Sequence, residues 1–319
     1  MSNQSLFSKR QQSELITAIK GRGEIPLKFA YLGEGSENWD EIASERKESG
    51  GINSIESNLL KRKVRHFTSA FQEKEKLNVI DIGCGNGQPI IPVIEKLRKE
   101  GFECSYVPID ISEELLELAS KNVKEEFPDI NINTFQFDFE LGNFSDITYP
   151  LKQDNSSNLL FFLGSTLGNH SDINRVLTNF RDSITSDDFL VLGVELTNVS
   201  KSRKILKQYK SKPNKDFVYF IPNKIGIDRN STEFEIKWNE RDRQVEVRLI
   251  LKNDVEVSIG SEKFSLEKNE SILVGRSVKF TEGSITNLLS NIGLRNELLT
   301  TNRNRSYLLS MVQPTRYSI

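Results

Sequence analysis

The residues best placed to do chemistry are three glycines at alternate positions, Gly83, Gly85 and Gly87, in the stretch Asp81-Ile-Gly-Cys-Gly-Asn-Gly87. Glycine there lets a turn tighten and lets a ligand approach the backbone where a Cβ atom would stand in the way. A helix expected from about Pro89 to Lys99 would direct its N-terminal amides at that ligand. The spacing is not the dinucleotide fingerprint, because the third glycine comes one position early and Gln88 stands where that pattern wants Gly or Ala. Two further segments end in polar groups. Pro108-Ile-Asp110 places a carboxylate where ribose hydroxyls lie in a mononucleotide-binding half, and Phe137-Asp138-Phe139 supplies an acid and an aromatic ring suited to an adenine amino group and its π-face. Taken singly, Asp110 and Asp138 are equally well read as caps of the segments that follow them. In register after the glycine loop, they point to a nucleoside-bearing ligand.

These groups need strands that end together. Leu77–Ile82, Tyr106–Ile109, Phe135–Phe139, Leu159–Leu163 and Phe189–Val194 are short apolar runs, and helical patterns separate most of them (Pro89–Lys99, Glu113–Glu126 and Asn174–Ile184). Nearly unbroken apolar runs suit strands buried on both faces. Their alternation with helices predicts a doubly wound, Rossmann-like α/β sheet. Three helices precede it, at Ser5–Ile19, from about Ser36, and at Ser54–Phe71. Beyond about Asn198 the texture changes to a helix (Lys201–Tyr209) and a meander of strands at Glu233–Trp238, Val245–Leu251, Glu262–Leu266 and Ser271–Phe280. In the second of these Val245, Val247 and Leu249 alternate with Glu246 and Arg248, the period of a half-buried antiparallel strand. A helix at Ile285–Asn291 with Gly293 as its C′ residue, then a strand at Arg305–Val312, return to the sheet. The expected organisation is therefore an N-terminal helical segment (1–60), a ligand-binding core (61–198), a β-rich insertion (199–281) that covers the cleft, and a return to the core sheet (282–319).

Bulk composition removes several classes of function. Across 319 residues, 43 basic side chains balance 45 acidic ones, which disfavours a polyanion as main partner. The basic run Lys61-Arg-Lys-Val-Arg65 has Glu73 and Glu75 close by and reads as a solvated helical face. No apolar run approaches the length of a membrane span, and Met1–Lys20 lacks the apolar segment of a signal peptide, so a cytoplasmic protein with no membrane partner is expected. Cysteines Cys84 and Cys104 and histidines His66 and His170 have no metal-ligand spacing, and no metal is expected.

The glycine loop with its preceding acid resembles the first motif of S-adenosylmethionine (SAM)-dependent methyltransferases. Tyr106-Val-Pro-Ile-Asp-Ile-Ser112 and Phe162-Leu-Gly-Ser-Thr-Leu-Gly-Asn169 narrow the likeness. With Tyr31-Leu-Gly-Glu-Gly-Ser-Glu-Asn-Trp-Asp40, Lys237-Trp-Asn239 and Ser277-Val-Lys-Phe280, they look like the histidine-specific α-N-methyltransferases of ergothioneine biosynthesis. That family also includes fungal enzymes that N-methylate a prenylated tryptophan. The resemblance spans nearly the whole chain. It implies that SAM is held by Gly83, Gly85, Gly87, Asp110, Asp138 and Phe139. It also implies that Asn169 grips an amino-acid backbone, Tyr209 its carboxylate, and that Tyr31 and Ser277 line the acceptor's cavity. The histidine readers carry a glutamate two residues before that serine, whereas this chain has Gly275 and then Arg276; they carry paired tyrosines where it has Gly50-Gly51, and a loop lysine where it has Pro89. Glycine cannot accept an imidazole proton through a side chain, so the expected acceptor is the amine of a small amino acid or derivative other than histidine. Arg276 would then face a substrate carboxylate or close an internal ion pair.

Transfer from a sulfonium to an amine is an in-line displacement that needs alignment and exclusion of water more than a base. Glu195, at a strand end, and His170, beside Asn169, are the two candidate bases; a capping or hinge role for Glu195 and a structural role for His170 are the favoured readings. Cys84 lacks the activating neighbour that a nucleophile needs. Histidine itself as acceptor, RNA methylation and non-catalytic SAM binding are the competing functions, and the oligomeric state stays open.

Overall fold

The computed structural model describes residues 6–48, 52–69, 71, 76–152, 156–197, 206 and 209–315. In chain order, helices α1 (Lys9–Arg22), α2 (Gly35–Glu48) and α3 (Ile52–Thr68) precede strand β1 (Lys76–Ile82). Helix α4 (Ile91–Lys99), β2 (Glu103–Asp110), α5 (Glu113–Glu126), β3 (Asn131–Ile132), β4 (Phe135–Gln136), α6 (Ser145–Thr148), β5 (Ser156–Phe162), α7 (Ile173–Arg181) and β6 (Phe189–Glu195) follow. Then come α8 (Lys212–Lys224), β7 (Thr232–Asn239), β8 (Gln244–Leu251), β9 (Val255–Ile259), β10 (Glu262–Leu266), β11 (Ser271–Val278), α9 (Glu282–Ile292), β12 (Leu294–Thr301) and β13 (Tyr307–Pro314). The chain divides into two compact units, residues 43–197 with 279–319, and residues 1–42 with 198–278. The first break falls at Ile42/Ala43 rather than after residue 60, because α3 packs on α4 and β13.

The larger unit is built on a sheet of order β12-β13-β6-β5-β1-β2-β3, with β4 also on β2. Strands β1, β2, β5 and β6 run parallel, and β1 lies between β2 and β5. The chain thus winds outward in one direction through β2 and in the other through β5 and β6. The switch point between β1 and β5 is where such sheets bind ligands, outside the carboxyl ends of the strands. From Leu77 to Ile82 every residue of β1 is buried, and β6 is buried throughout, as strands covered by helices on both faces must be. Strand β13 returns antiparallel to β6, bringing Tyr307 opposite Glu195.

In the smaller unit β11-β8-β7 form an antiparallel sheet and β9-β10 a hairpin. Arg276 stands opposite Glu246, and Gly275 and Ser277 stand opposite Val247 and Val245. Because side chains alternate between faces, Gly275 and Ser277 share the apolar face with Val245 and Val247, while Arg276 lies on the other. Helix α8 escaped the sequence reading because it holds Pro213 and Pro222. Pro213 sits in the first turn, where a missing N–H costs nothing, and Pro222 in the last. Strands β9 and β12 were also missed, although Val255, Val257 and Ile259 alternate buried with exposed Glu256 and Ser258. Most of the expected helix 201–209 lies outside the described residues. The strand expected over Phe135–Phe139 stops at Gln136, leaving Asp138 and Phe139 in the loop beyond it.

Candidate active site

The loop after β1 closes with Gly83, Gly85 and Gly87 all in the left-handed region, at φ 62°, 54° and 69°. A β-branched residue there would be strained by its own Cβ. Gly83 is tied to the neighbouring strand by its N–H to the Ile109 carbonyl at 2.7 Å. The three glycines do different work. A Cβ on Gly83 would reach only ordinary contact with Phe162 and Phe139, at 3.6 and 3.8 Å, whereas one on Gly87 would press on Ala119 of α5 at 3.1 Å. At Gly87 the missing side chain also serves the close approach of the loop to helix α5. Helix α4 begins at Ile91, later than expected, with no side-chain cap.

Asp110 ends β2 and is buried. Its carboxylate accepts from the N–H groups of Gly85, at 3.3 Å, and Ser112, at 3.1 Å. Burial pushes its pKa up to about 6 against the opposing pull of those amides. Asp81 is raised as well, by burial first, while its bond from the Tyr106 hydroxyl at 3.0 Å pulls the other way. The same burial, with Asp110 and Asp81 nearby, holds the Cys84 thiol well above its usual range. That keeps Cys84 un-ionised and removes it as a nucleophile.

Beyond β4, half-buried Asp138 accepts from the Glu140 N–H at 3.1 Å. Buried Phe139 packs edge-on against Phe162, His170 and Phe180, each at 5.5 Å between centroids. The fold thus gathers Gly83, Gly85, Asp110 and Phe139 at the carboxyl ends of β1 and β2, as the spacing in sequence requires.

The candidate bases are both engaged. Glu195 pairs with buried Lys279, and its backbone N–H donates to Ser165 Oγ at 2.9 Å. His170 is buried with Nδ1 2.6 Å from Glu140 and its ring stacked on Phe162. Asn169 differs from both. It closes the 3₁₀ turn Thr166–Asn169, is half-buried, and its amide makes no hydrogen bond to another described residue.

On the smaller unit, Tyr31 ends the 3₁₀ helix Leu27–Tyr31 and meets Phe217 of α8 edge-on at 5.0 Å, with Trp39 at 6.3 Å. Tyr209 is half-buried in the turn before α8. Ser277 is buried, and a Cβ on Gly275 would rest against Val247 and Val218 at 3.5 and 3.7 Å. Arg276 closes the internal ion pair, 2.6 Å from buried Glu24, on the face away from Ser277. It lies on the face opposite Ser277 and takes the second of its two expected places, the internal ion pair. Sequence reasoning missed Glu56, a fully buried acid on α3 bonded to Gly164 and Tyr307.

A doubly wound sheet closed by an antiparallel return strand, with alternate glycines and buried acids at the carboxyl ends of its first two strands, defines a SAM-dependent methyltransferase. Residues 10–314 match the family described as histidine-specific, SAM-dependent methyltransferases, and the chain belongs to it. It is 24% identical over 257 residues to the N-methyltransferase imqF of Aspergillus flavus, covering 75% of this chain and 68% of that one. It is 22% identical over 285 residues to the histidine N-alpha-methyltransferase of Mycolicibacterium smegmatis, covering 85% and 84%. Among solved structures the CMeT domain of the citrinin polyketide synthase superposes with a TM-score of 0.53 at 13% identity, over 96% of this chain and 65% of that one. That likeness bears on the fold.

Proposed function

We propose that the protein transfers the methyl group of SAM to the amine of an amino acid or a close derivative, and that histidine is not its preferred acceptor. The residues at the sheet's edge fit the cofactor. Ionised Asp110 accepts from the ribose hydroxyls, Asp138 and Phe139 meet the adenine, and Gly83 and Gly85 leave the backbone bare beside it. SAM supplies an activated methyl; the protein's part is to bind, orient and exclude water. Both relatives named above are N-methyltransferases by description.

The observation that carries the amine reading is Asn169. An uncommitted amide, half-buried at the carboxyl end of β5, has a donor and an acceptor to offer an amino-acid backbone. In this reading Tyr31, Tyr209 and Ser277 are acceptor contacts, as in the sequence resemblance. Against histidine stands Gly275. The carboxylates nearest it in the sheet, Glu24 and Glu246, lie on the opposite face, committed to Arg276 and Arg248. A ring nitrogen left without its partner forfeits about 1–3 kcal/mol. Neither the glycine loop nor the basic run on α3 supports RNA as substrate, and a non-catalytic role would leave Asn169 unexplained.

A calorimetric screen of amino acids and biogenic amines with S-adenosylhomocysteine (SAH) present tests the reading. Binding of an α-amino acid that needs Asn169, lost in Asn169→Ala, is the expected result; no amine binding while SAH still binds would remove it.

A further inference from the structure

One buried acid lies outside the site as described so far. Glu56, on α3, is fully buried, and its Oε2 accepts from the Gly164 N–H at 2.8 Å and from the Tyr307 hydroxyl. The strand beside it is shaped around this carboxyl: a Cβ on Gly193 of β6 would collide with Glu56 Oε2 and Tyr307 Oη. Gly164 adopts φ 72° and the next residue, Ser165, φ 60°, a conformation that a side chain disfavours. Two anchors hold this pair in place. Glu56 fixes the Gly164 amide, and Ser165 Oγ accepts from the Glu195 N–H. Directly after them the chain turns through Thr166–Asn169.

We propose that Glu56 is a positioning residue for methyl transfer: its carboxyl locks the left-handed Gly164–Ser165 turn and so aims the Asn169 amide at the acceptor. The proposal rests on the amine reading given above. Oε2 receives both hydrogen bonds, and Oε1 is buried without a partner among the described residues. Among the described residues, no cation faces the carboxyl. The groups around it are Tyr307 on β13, Asp81 on β1 and, through Tyr307, Glu195 on β6, whose charge Lys279 matches. Burial accordingly raises Glu56 to about 7, against its bonds from Tyr307 and Gly164. A buried acid without a counter-ion stabilises a fold less than an apolar side chain of the same size would. What it adds is a pair of directed bonds to one turn.

The test compares Glu56→Gln, Glu56→Leu and Tyr307→Phe in the full chain. Three readouts are needed: amide hydrogen exchange of residues 163–169, SAH affinity by calorimetry, and methyl transfer from SAM to L-histidine, L-tryptophan and L-tyrosine. Glu56→Leu should speed exchange at Gly164 and Ser165 by about tenfold or more, the equivalent of one lost directed bond. It should also raise the KM for the amino acid while leaving SAH affinity unchanged. Glu56→Gln keeps an acceptor for both donors and should restore protection and KM; Tyr307→Phe should fall between. Unchanged protection at Gly164 in Glu56→Leu overturns the proposal, as does a parallel loss of SAH affinity, the mark of a general structural role. Failure of Glu56→Gln to rescue overturns it too, since glutamine keeps an acceptor for both donors. If the wild type methylates none of the three amino acids, the amine reading loses its support. The exchange arm then decides separately whether Glu56 holds the turn.

Discussion

The proposed SAM residues and the proposed acceptor residues are built from the same kind of chain in contrasting ways. Gly83, Gly85, Asp110 and Phe139 follow successive strands, so one parallel sheet brings them to a common edge whatever the details of the loops. Tyr31, Tyr209, Gly275 and Ser277 come from a 3₁₀ helix, a turn and a strand far apart in sequence. Where they point depends on strand register and on helix α8, which packs against β11 and Leu27–Tyr31. A local motif announces its own geometry; a distributed one borrows it from neighbours.

The most severe way to break the first half of that comparison is Gly85→Val. Its φ of 54° excludes a β-branched side chain, and the new Cβ would also intrude on the bare backbone. We expect SAH affinity to fall by more than about 100-fold, the sum of about 1–3 kcal/mol of strain and the lost approach. Wild-type affinity by calorimetry would show that the loop does not meet the cofactor.

The next effect in size comes from Asp110. Asp110→Ala should cost about 1–3 kcal/mol of SAH affinity through loss of charge-assisted bonds. With Asp110 raised to about 6 in the free protein, and the ribose hydroxyls preferring its ionised form, affinity should be flat above neutrality. It should decline as pH drops through 6, by up to about tenfold per unit for a single proton taken up. Asp110→Asn should lack this decline, and a pH profile identical to wild type would remove Asp110 from the site.

Smaller still is the sharpening of the second half, on the face of β11. Gly275→Glu supplies a carboxylate beside Ser277 and should improve histidine turnover relative to other amino acids by about tenfold, within the range of one regained buried hydrogen bond. Arg276→Ala, on the other face, should lower the melting temperature by breaking the pair with Glu24 but leave the acceptor KM as it was. If Arg276→Ala changes KM while Gly275→Glu changes nothing, the assignment of faces is reversed.

How far the sequence was legible follows the same division. Strands β1, β5 and β6 were readable because burial on both faces leaves a continuous apolar run. Asp138 and Phe139 were placed on a strand that ends at Gln136, since an apolar-polar-apolar run reads alike in strand and loop. Helix α8 was hidden by Pro213 in its first turn and Pro222 inside its last, which together read as breakers. Period 2 would have separated Arg276 from Ser277 had the strand been counted residue by residue. Glu56 carried no signal, because its partners Gly164 and Tyr307 are 108 and 251 residues away.

The central claim is that the methyl group goes from SAM to an amino-acid amine other than histidine's. The direct measurement follows labelled methyl from SAM into histidine, tryptophan, tyrosine, the acidic amino acids and simple amines under identical conditions, with the product amine located by mass spectrometry. Label on the nitrogen of one of the non-histidine acceptors, with histidine poorer by about tenfold or more, is the predicted result. Histidine labelled as efficiently as the best of the others would contradict the reading of Gly275, and no labelled amine at all would contradict the function proposed here.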